Sequence, residues 1–258
     1  SGGRILWVNT ENWSKEEITT RGILSQNIYN LRYAILGAGA IGSHLAEALV
    51  RAGCDKVTII DGDITEIGNL TRHTLTVDTT RYPKAHGLAD RLNRISPNAN
   101  VQAIARKLNP PILNSLIDKI DIFIDATAND EVISIMSDGL KDTDIVFISI
   151  SAGFGLNRAY CFMAKTKTTE IFSNLRTYIV PWLEKDMNEN PNPEFPREGI
   201  GCWHPVFPGR YDQILMLLYP TITLLENFIK NDIEKTLAVI QKKINDNGEI
   251  KSIDIDTY

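Results

Sequence analysis

The chain reads Tyr33-Ala34-Ile35-Leu36-Gly37-Ala38-Gly39-Ala40-Ile41-Gly42, an apolar run that leads into a Gly-x-Gly-x-x-Gly turn. Apolar residues then recur at helical spacing up to Gly53, so the turn joins a predicted strand to a predicted helix. In this arrangement Gly37 permits the tight turn, Gly39 admits a phosphate close to the backbone, and Gly42 lets the helix pack against the strand. The stretch therefore predicts that a nucleotide binds where the strand meets the helix.

Strand-like and helix-like segments alternate over the first 150 residues, which predicts a Rossmann-like, doubly wound α/β fold. The strands are apolar at successive positions, as expected of a mostly parallel sheet covered by helices on both faces. Strands are predicted at 57–60, 101–105, 120–126 and 145–149, and helices at 84–95, 111–117 and 131–140. Beyond residue 151 the pattern predicts an outer, antiparallel strand at 158–165, a long helix at 210–231 that Pro220 is expected to kink, and a terminal edge strand at 250–258.

The composition predicts one domain spanning residues 1–258, because a chain of this length with 43% hydrophobic residues can bury a large core. A net charge of -5, with no long run of Lys or Arg, argues against a nucleic-acid partner. We find neither a signal peptide nor an apolar span of about 18 residues, and the three cysteines are widely spaced. These features favour a cytoplasmic protein without a membrane span. The opening Ser1-Gly2-Gly3 is typical of a tag remnant, which leaves open that further domains precede it.

A proline-rich stretch interrupts the regular pattern at about 181–201. It contains Pro181, Pro191, Pro193 and Pro196 among Asn and Glu residues, and we predict a long mobile loop there. Loops of this length inside a compact domain are usually functional. The alternatives are a crossover loop over the nucleotide site and an insertion without function.

A second set of polar residues follows the second predicted strand. It consists of Asp61-Gly62-Asp63, Asn69-Leu70-Thr71-Arg72 and Lys84. Together with the glycine turn, this set resembles the ubiquitin-activating-enzyme superfamily, which includes the adenylyltransferases of thiamine and molybdopterin biosynthesis. The likeness covers about residues 21–150. Dehydrogenases share the glycine turn but have no reason to follow it with an Asn-Leu-x-Arg segment and a lysine.

The resemblance implies an enzyme that uses ATP to adenylate the C-terminal carboxylate of a small ubiquitin-like protein and releases pyrophosphate. A carboxylate attacking the α-phosphate brings negative charge onto negative charge, so Arg72 and Lys84 are candidate catalytic residues that stabilise the phosphates. By the same resemblance Asp61 would hold the ribose and Asn69 would contact the phosphates. Asp63 lies close in sequence to this site and is a further candidate nucleotide-binding residue, without a specific contact assigned to it. Ordinary surface charge is the alternative explanation for Arg72 and Lys84.

Arg21 matches a position from which members of this superfamily send an arginine across a dimer interface to the partner's ATP. The resemblance therefore implies a homodimer with Arg21 as a catalytic residue. An exposed arginine flanking a helix explains the same residue almost equally well.

One position departs from the family pattern. Biosynthetic relatives end the fourth strand in a Thr-Asp-Asn sequence whose aspartate assists Mg²⁺, whereas this chain reads Asp125-Ala126-Thr127-Ala128-Asn129-Asp130. Mg²⁺ commonly takes one or two carboxylates together with waters and substrate phosphates, so Asp125 or Asp130 are candidate substitutes for the missing carboxylate. The alternative is that Ala128 marks an inactive or catalytically reduced paralogue.

A cysteine follows the proline-rich stretch in Gly201-Cys202-Trp203-His204-Pro205. The segment resembles the cysteine region of bacterial activating domains that are fused to conjugating-enzyme domains in anti-phage CBASS operons. A thiolate on a loop is a suitable acceptor for an adenylated carboxylate, so Cys202 is a candidate catalytic residue that forms a thioester. The alternative is a small buried hydrophobic residue.

The remaining cysteines and histidines give no metal-binding pattern. The chain lacks Cys-x-x-Cys pairs, so we expect no zinc, and Cys54 and Cys161 are expected to be structural. His44, His73 and His86 are expected to make local hydrogen bonds.

The hypothesis from sequence is an ATP- and Mg²⁺-dependent adenylyltransferase that acts on a ubiquitin-like protein or a related protein C-terminus. Two alternatives stay open. One is a non-catalytic scaffold that pairs with an active subunit, motivated by Ala128. The other is an NAD-dependent oxidoreductase, supported only by the glycine turn and Asp61.

Overall fold

The strands form one mixed sheet. A computed structural model describes residues 8–18, 20, 22–190 and 209–258. Within these ranges the strands are β1 (Tyr33–Leu36), β2 (Lys56–Ile60), β3 (Asn100–Ile104), β4 (Ile122–Asp125), β5 (Val146–Ala152), β6 (Arg158–Lys165), β7 (Lys235–Ile244) and β8 (Ile250–Thr257). Their order in the sheet is β3-β2-β1-β4-β5-β6-β7-β8. The first five strands pair in parallel, and β6, β7 and β8 add to β5 in antiparallel fashion.

Helices cover both faces of this sheet. The described ranges contain α1 (Lys15–Ile18), α2 (Gln26–Tyr29), α3 (Ala40–Arg51), α4 (Lys84–Leu92), α5 (Pro110–Leu116), α6 (Asp130–Gly139), α7 (Ile171–Glu189), α8 (Tyr211–Leu218) and α9 (Pro220–Lys230). Short turns of 3₁₀ helix occupy Ile67–Thr71, Val77–Thr79, Ile117–Lys119 and Phe154–Leu156. Among the residues described, no helix is both long and apolar enough to cross a membrane.

The core consists of two apolar clusters, one on each side of the sheet. Helices α3, α4, α8 and α9 pack in one cluster, and α5, α6 and α7 pack in the other. Alternate residues of a strand point to opposite faces, so Tyr33 and Ile35 join the first cluster while Ala34 and Leu36 join the second. This double burial explains why the parallel strands are continuously apolar in sequence. The α/β fold, with its parallel core and antiparallel C-terminal strands, is confirmed.

In the second half of the chain, the outer position predicted for one strand was wrong, whereas the break that Pro220 was expected to cause in the long helix is present. Strand β6 is antiparallel as predicted, but it is not an outer strand, because β7 pairs along its length from Arg158↔Gln241 to Ala164↔Lys235. The apolar residues of β7 form a run too short to tell a strand from a helix. The predicted long helix is divided into α8 and α9, and Pro220 begins α9, where a missing N–H costs no helical hydrogen bond.

The predicted loop at about 181–201 is corrected over its first part. Helix α7 continues through Pro181 to Glu189. A proline inside a helix removes one hydrogen bond, but Tyr178, Trp182 and Leu183 pack against the core and hold the helix in place. Residues 191–201 lie outside the described residues, so a loop there stays a prediction.

Candidate functional site

A cavity of about 360 Å³ lies at the carboxyl ends of the first four strands. Its wall follows directly from the strand ends: the glycine turn after β1, residues 61–63 after β2, residues 106–108 after β3 and residues 126–129 after β4. Strands β2 and β4 flank β1 on opposite sides, so the chain reverses direction across the sheet at this point. Such a switch point in an open α/β sheet is where ligands bind.

The glycine turn has the geometry that its sequence predicts. Gly37 has a φ of 87°, a conformation that side chains other than glycine rarely adopt. At Gly42 an added Cβ would lie 1.8 Å from the carbonyl oxygen of Gly37, so only glycine allows α3 to pack this closely. Gly39 lines the cavity, and no atom lies within 4 Å of the place where its Cβ would be. The turn is therefore closed on its inner side and open toward the cavity.

Asp61 connects the end of β2 to the glycine turn. Its Oδ2 accepts a hydrogen bond from the Ala38 amide at 2.6 Å, and its Oδ1 accepts one from the Asp63 amide at 2.7 Å. Burial raises the pKa of Asp61, while these two hydrogen bonds and the charge of Lys84 act in the opposite direction. The carboxylate lines the cavity and keeps lone pairs for a further donor, such as a ribose hydroxyl.

Lys84 lines the same cavity as the first residue of α4. Its Nζ lies 3.4 Å from Asp63 Oδ2, and its side chain is 13% exposed, against 60% for that of Asp63. A lysine at the start of a helix is placed against the positive end of the helix dipole. A lysine at this position is thus electrostatically unfavourable unless an anion lies nearby. Asp63 is such an anion, and a bound phosphate would stabilise the lysine charge further.

Asn69 and Arg72 do not line the cavity. Asn69 Oδ1 accepts a hydrogen bond from the Glu66 amide at 3.0 Å, which caps the 3₁₀ turn. Arg72 ends that turn, and the adjacent His73 is 5% exposed. Burial, followed by the charges of Lys84, His44 and Arg72, lowers the pKa of His73 to about 3. Arg72 and Lys84 thus both lie close enough for their charges to act on one buried histidine, and their contacts with phosphate stay predictions.

The two candidate Mg²⁺ ligands lie away from the cavity wall. Asp125 is fully buried, and its carboxylate accepts hydrogen bonds from Thr127 and Ser149, while burial raises its pKa. Asp130 is exposed and forms an ion pair with Arg176. Neither residue lines the cavity, since one is buried among its own partners and the other pairs with a side chain of α7. Their contact with Mg²⁺, direct or through water, stays a prediction.

Other carboxylates and cations line the cavity in their place. Sequence reasoning missed three charged residues of the wall: Arg106, Lys107 and Glu131. It also missed the apolar wall, which includes Leu108, Val132 and Ile135. The signal that points to them is position, because they follow β3 or begin the helix after β4, at the edge of the sheet that carries the site. Within the described ranges, no group of three or more His, Cys, Asp or Glu residues is arranged to hold a metal ion.

Two predicted catalytic residues cannot be placed. Arg21 and Cys202 lie outside the described residues, so the predictions made for them stand as predictions. Cys54 and Cys161 are both buried, and burial raises the pKa of each thiol to about 12. Neither is suited to act as a thiolate nucleophile, which agrees with a structural role for both.

A glycine turn at a switch point, an acidic residue after the next strand and a lysine at the start of α4 are together typical of nucleotide-binding α/β proteins. The family model described as "ThiF family" matches residues 12–242. The chain belongs to the ThiF family.

Sequence similarity to known proteins extends over different portions of the chain. An ATP-dependent ubiquitin transferase-like protein Cap2 from Enterobacter hormaechei is 33% identical over 215 residues, which are 81% of this chain and 35% of that protein. The sulfur carrier protein ThiS adenylyltransferase of Bacillus subtilis is 36% identical over 120 residues, covering 45% of this chain and 36% of the enzyme. The chain thus spans about a third of the length of either relative.

A solved structure shares the fold. The crystal structure of E. coli MccB with ATP has a TM-score of 0.60 and 18% identity, and the match covers 90% of this chain and 64% of the MccB chain. At this identity the likeness concerns the fold alone.

Proposed function

We propose that this chain uses ATP to adenylate the C-terminal carboxylate of a small ubiquitin-like protein or a related protein C-terminus. The observation that carries the proposal is the division of the cavity wall into three regions. Leu108, Val132 and Ile135 offer an apolar surface to a base, Asp61 offers an acceptor to a ribose, and the open backbone of Gly39 leads to the start of α3. An adenine nucleotide consists of a base, a ribose and phosphates in this order, so the three regions match its three parts.

The proposed reaction is a displacement at the α-phosphorus. A carboxylate oxygen of the protein substrate forms a bond to phosphorus, the bond to the leaving pyrophosphate breaks, and an acyl adenylate results. Lys84 and the amides at the start of α3 stabilise the phosphate charge, and we assign the same role to Arg72. MccB has been crystallised with AMPCPP and MccA, which supports a polypeptide as the second substrate.

Mg²⁺ belongs to the proposal as a companion of the nucleotide. This ion takes one or two carboxylates together with phosphates and waters. Asp63 is exposed on the cavity wall, and Glu131 lines the same wall, so both fit an ion carried in by a triphosphate. When bound, the ion would neutralise phosphate charge.

The likeness to Cap2 supports a second step and a biological setting. We propose that the Cys202 thiolate attacks the acyl carbon of the adenylate, so that a carbon–sulfur bond forms, AMP leaves and a thioester remains. We also propose that the protein forms a homodimer in which Arg21 reaches the partner's nucleotide. The acyl group is then transferred to a conjugating-enzyme domain. The biological role that we propose is anti-phage defence in the cytoplasm. Membership of the ThiF family removes the support for an NAD-dependent oxidoreductase.

The test is ATP–pyrophosphate exchange with small proteins that end in a free glycine and are encoded beside this gene. We expect exchange that depends on the partner and falls roughly 10²-fold in Lys84→Met, because a phosphate-facing cation is lost. Lys56→Met is the matched control, since Lys56 is an exposed lysine at the opposite end of β2. It should exchange like the wild type.

Two results would contradict the enzymatic proposal. If no such partner supports ATP–pyrophosphate exchange, the proposed adenylation step is contradicted. ATP binding without turnover in the presence of the true partner would instead favour the scaffold alternative that Ala128 raises. For the second step, Cys202→Ala should abolish a thiol-reducible adduct while exchange continues.

A further inference from the structure

His44 contacts the segment that carries Arg72. It lies one turn into α3 and is 1% exposed. Its Nε2 lies 3.1 Å from the backbone carbonyl oxygen of Arg72. The imidazole also packs edge-on against the ring of Tyr211, with 4.7 Å between the ring centroids. The residue is therefore held on one side by an aromatic ring and directed on the other toward a single acceptor.

The hydrogen bond defines which nitrogen of His44 carries the proton. A carbonyl oxygen can only accept, so Nε2 must be the donor. Burial lowers the pKa of His44, which favours the neutral ring with one N–H. The single N–H of the neutral His44 ring therefore donates its hydrogen bond to the backbone carbonyl oxygen of Arg72.

The backbone of Arg72 is fixed at both of its polar groups. Its amide donates to the carbonyl oxygen of Asn69 at 3.1 Å, and its carbonyl accepts from His44. Asn69 is itself held by reciprocal hydrogen bonds with Glu66. Since the 3₁₀ turn ends at this residue, the bond from His44 fixes the backbone from which the Arg72 side chain projects.

We propose that His44 is a positioning residue, whose Nε2–H fixes the Arg72 carbonyl and so sets the direction in which the guanidinium leaves the backbone toward the nucleotide phosphates. The inference rests on the proposed function, because it gives Arg72 a phosphate to bind. Helix α3 begins at Ala40, beside the glycine turn, and carries His44 four residues later. One rigid helix therefore sets both the turn and the arginine relative to the proposed phosphates. A charged binding site requires such support from residues that do not themselves touch the ligand.

Two substitutions separate the hydrogen bond from the packing. His44→Phe keeps a ring against Tyr211 and removes the donor, whereas His44→Gln keeps a donor of similar reach and removes the ring. We expect ATP affinity, measured by calorimetry, to fall roughly three- to ten-fold in His44→Phe, the range for one lost hydrogen bond. The affinity of His44→Gln should stay within about two-fold of the wild type. Urea unfolding reports on whether each variant is folded.

A double-mutant cycle with Arg72→Ala tests whether His44 acts through the guanidinium. The alanine variant retains the carbonyl that His44 contacts but lacks the charge, so His44→Phe should weaken ATP binding no further in that background. A purely structural role for His44 would instead give the same loss in both backgrounds. If His44→Phe does not fold, His44→Leu, which also lacks the donor, takes its place.

The outcomes distinguish this inference from the proposed function. Wild-type affinity in His44→Phe, or equal losses with and without Arg72, would overturn the role of His44 alone, provided that Arg72→Ala itself binds ATP more weakly. A wild-type protein that binds no ATP would overturn both.

Discussion

The carboxylate of Asp61 holds the amide of Ala38 at 2.6 Å, across the ends of two neighbouring parallel strands. This bond ties the second residue of the glycine turn to the residue that the sequence assigns to the ribose. Two parts of the nucleotide site are thereby fixed to each other before any nucleotide arrives. An arrangement that is already in place loses less entropy on binding.

Asp61→Asn tests this connection. The amide oxygen still accepts from Ala38, but the negative charge and one strong acceptor are lost, so ATP affinity should fall on the order of 10-fold. Calorimetric titration with ATP measures the change. Asp144→Asn, an exposed aspartate before β5, is the control that should bind normally. Unchanged affinity in Asp61→Asn would assign the ribose to another residue.

Ala128 offers a test of the missing carboxylate. This residue has a φ of 51°, which alanine rarely adopts and which Asp and Asn tolerate better. Ala128→Asp should raise the Mg²⁺-dependent exchange rate, on the order of 10-fold, because it adds a carboxylate at the strand end. Ala128→Asn has the same backbone preference without the charge. An equal rise in both variants would attribute the effect to the backbone.

The stability of the fold should depend on His73 at acidic pH. Burial, then the charges of Lys84, His44 and Arg72, lower the pKa of this 5%-exposed histidine to about 3, against about 6.5 in an unfolded chain. Between these values the unfolded chain binds a proton that the folded chain does not. The free energy of unfolding should therefore fall below pH 6.5, by up to about 1.4 kcal/mol per pH unit from this residue.

Urea unfolding at several pH values between 4 and 7 measures that slope. His73→Gln should reduce it, and the remaining slope reflects His44 and the carboxylates. His86→Gln, at an exposed position of α4, should leave the slope as it is in the wild type. A slope that is unaffected by His73→Gln would mean that His73 takes up its proton in the folded state.

A buried ion pair should contribute to the stability of α7. Asp186 is fully buried, pairs with Arg158 and accepts a hydrogen bond from the Tyr160 hydroxyl at 2.5 Å. Asp186→Ala should lower the free energy of unfolding by roughly 3–5 kcal/mol, because Arg158 stays buried with only its half-exposed partner Glu189.

The control for this prediction is an exposed pair. Asp232 is 90% exposed, pairs with Lys165 and has a φ of 55° that asparagine also tolerates, so Asp232→Asn should cost at most about 1 kcal/mol. Urea unfolding at neutral pH compares the two variants. Equal losses in the free energy of unfolding would show that burial of the Asp186–Arg158 pair does not increase its contribution to stability.

Sequence predicted those parts of the site that depend on local chemistry. A glycine with a positive φ, a glycine under a close carbonyl and an acidic strand end are each determined by a few neighbouring residues. The structure places Gly37, Gly42 and Asp61 in these local positions, and their contact with a nucleotide stays a prediction. The parallel half of the sheet was predicted for the same reason, since its strands are buried on both faces and are continuously apolar.

Sequence could not predict features that depend on tertiary packing. The direction of the Asp125 side chain depends on hydrogen bonds from Thr127 and from Ser149 of the neighbouring strand, which the sequence does not reveal. Pro181 predicts a break, but the packing of α7 on the core prevails over it. Arg106 and Lys107 reach the cavity only because β3 ends beside β2.

The contact between Gly42 and Gly37 limits how this site can be redesigned. A Cβ added at Gly42 would lie 1.8 Å from the carbonyl oxygen of Gly37, so no larger residue can replace Gly42 unless α3 moves. Side chains such as Leu108 and Ile135, by contrast, line the cavity from outside the glycine turn. Under the proposed function, engineering a different base preference should begin at those two positions and leave the glycines untouched.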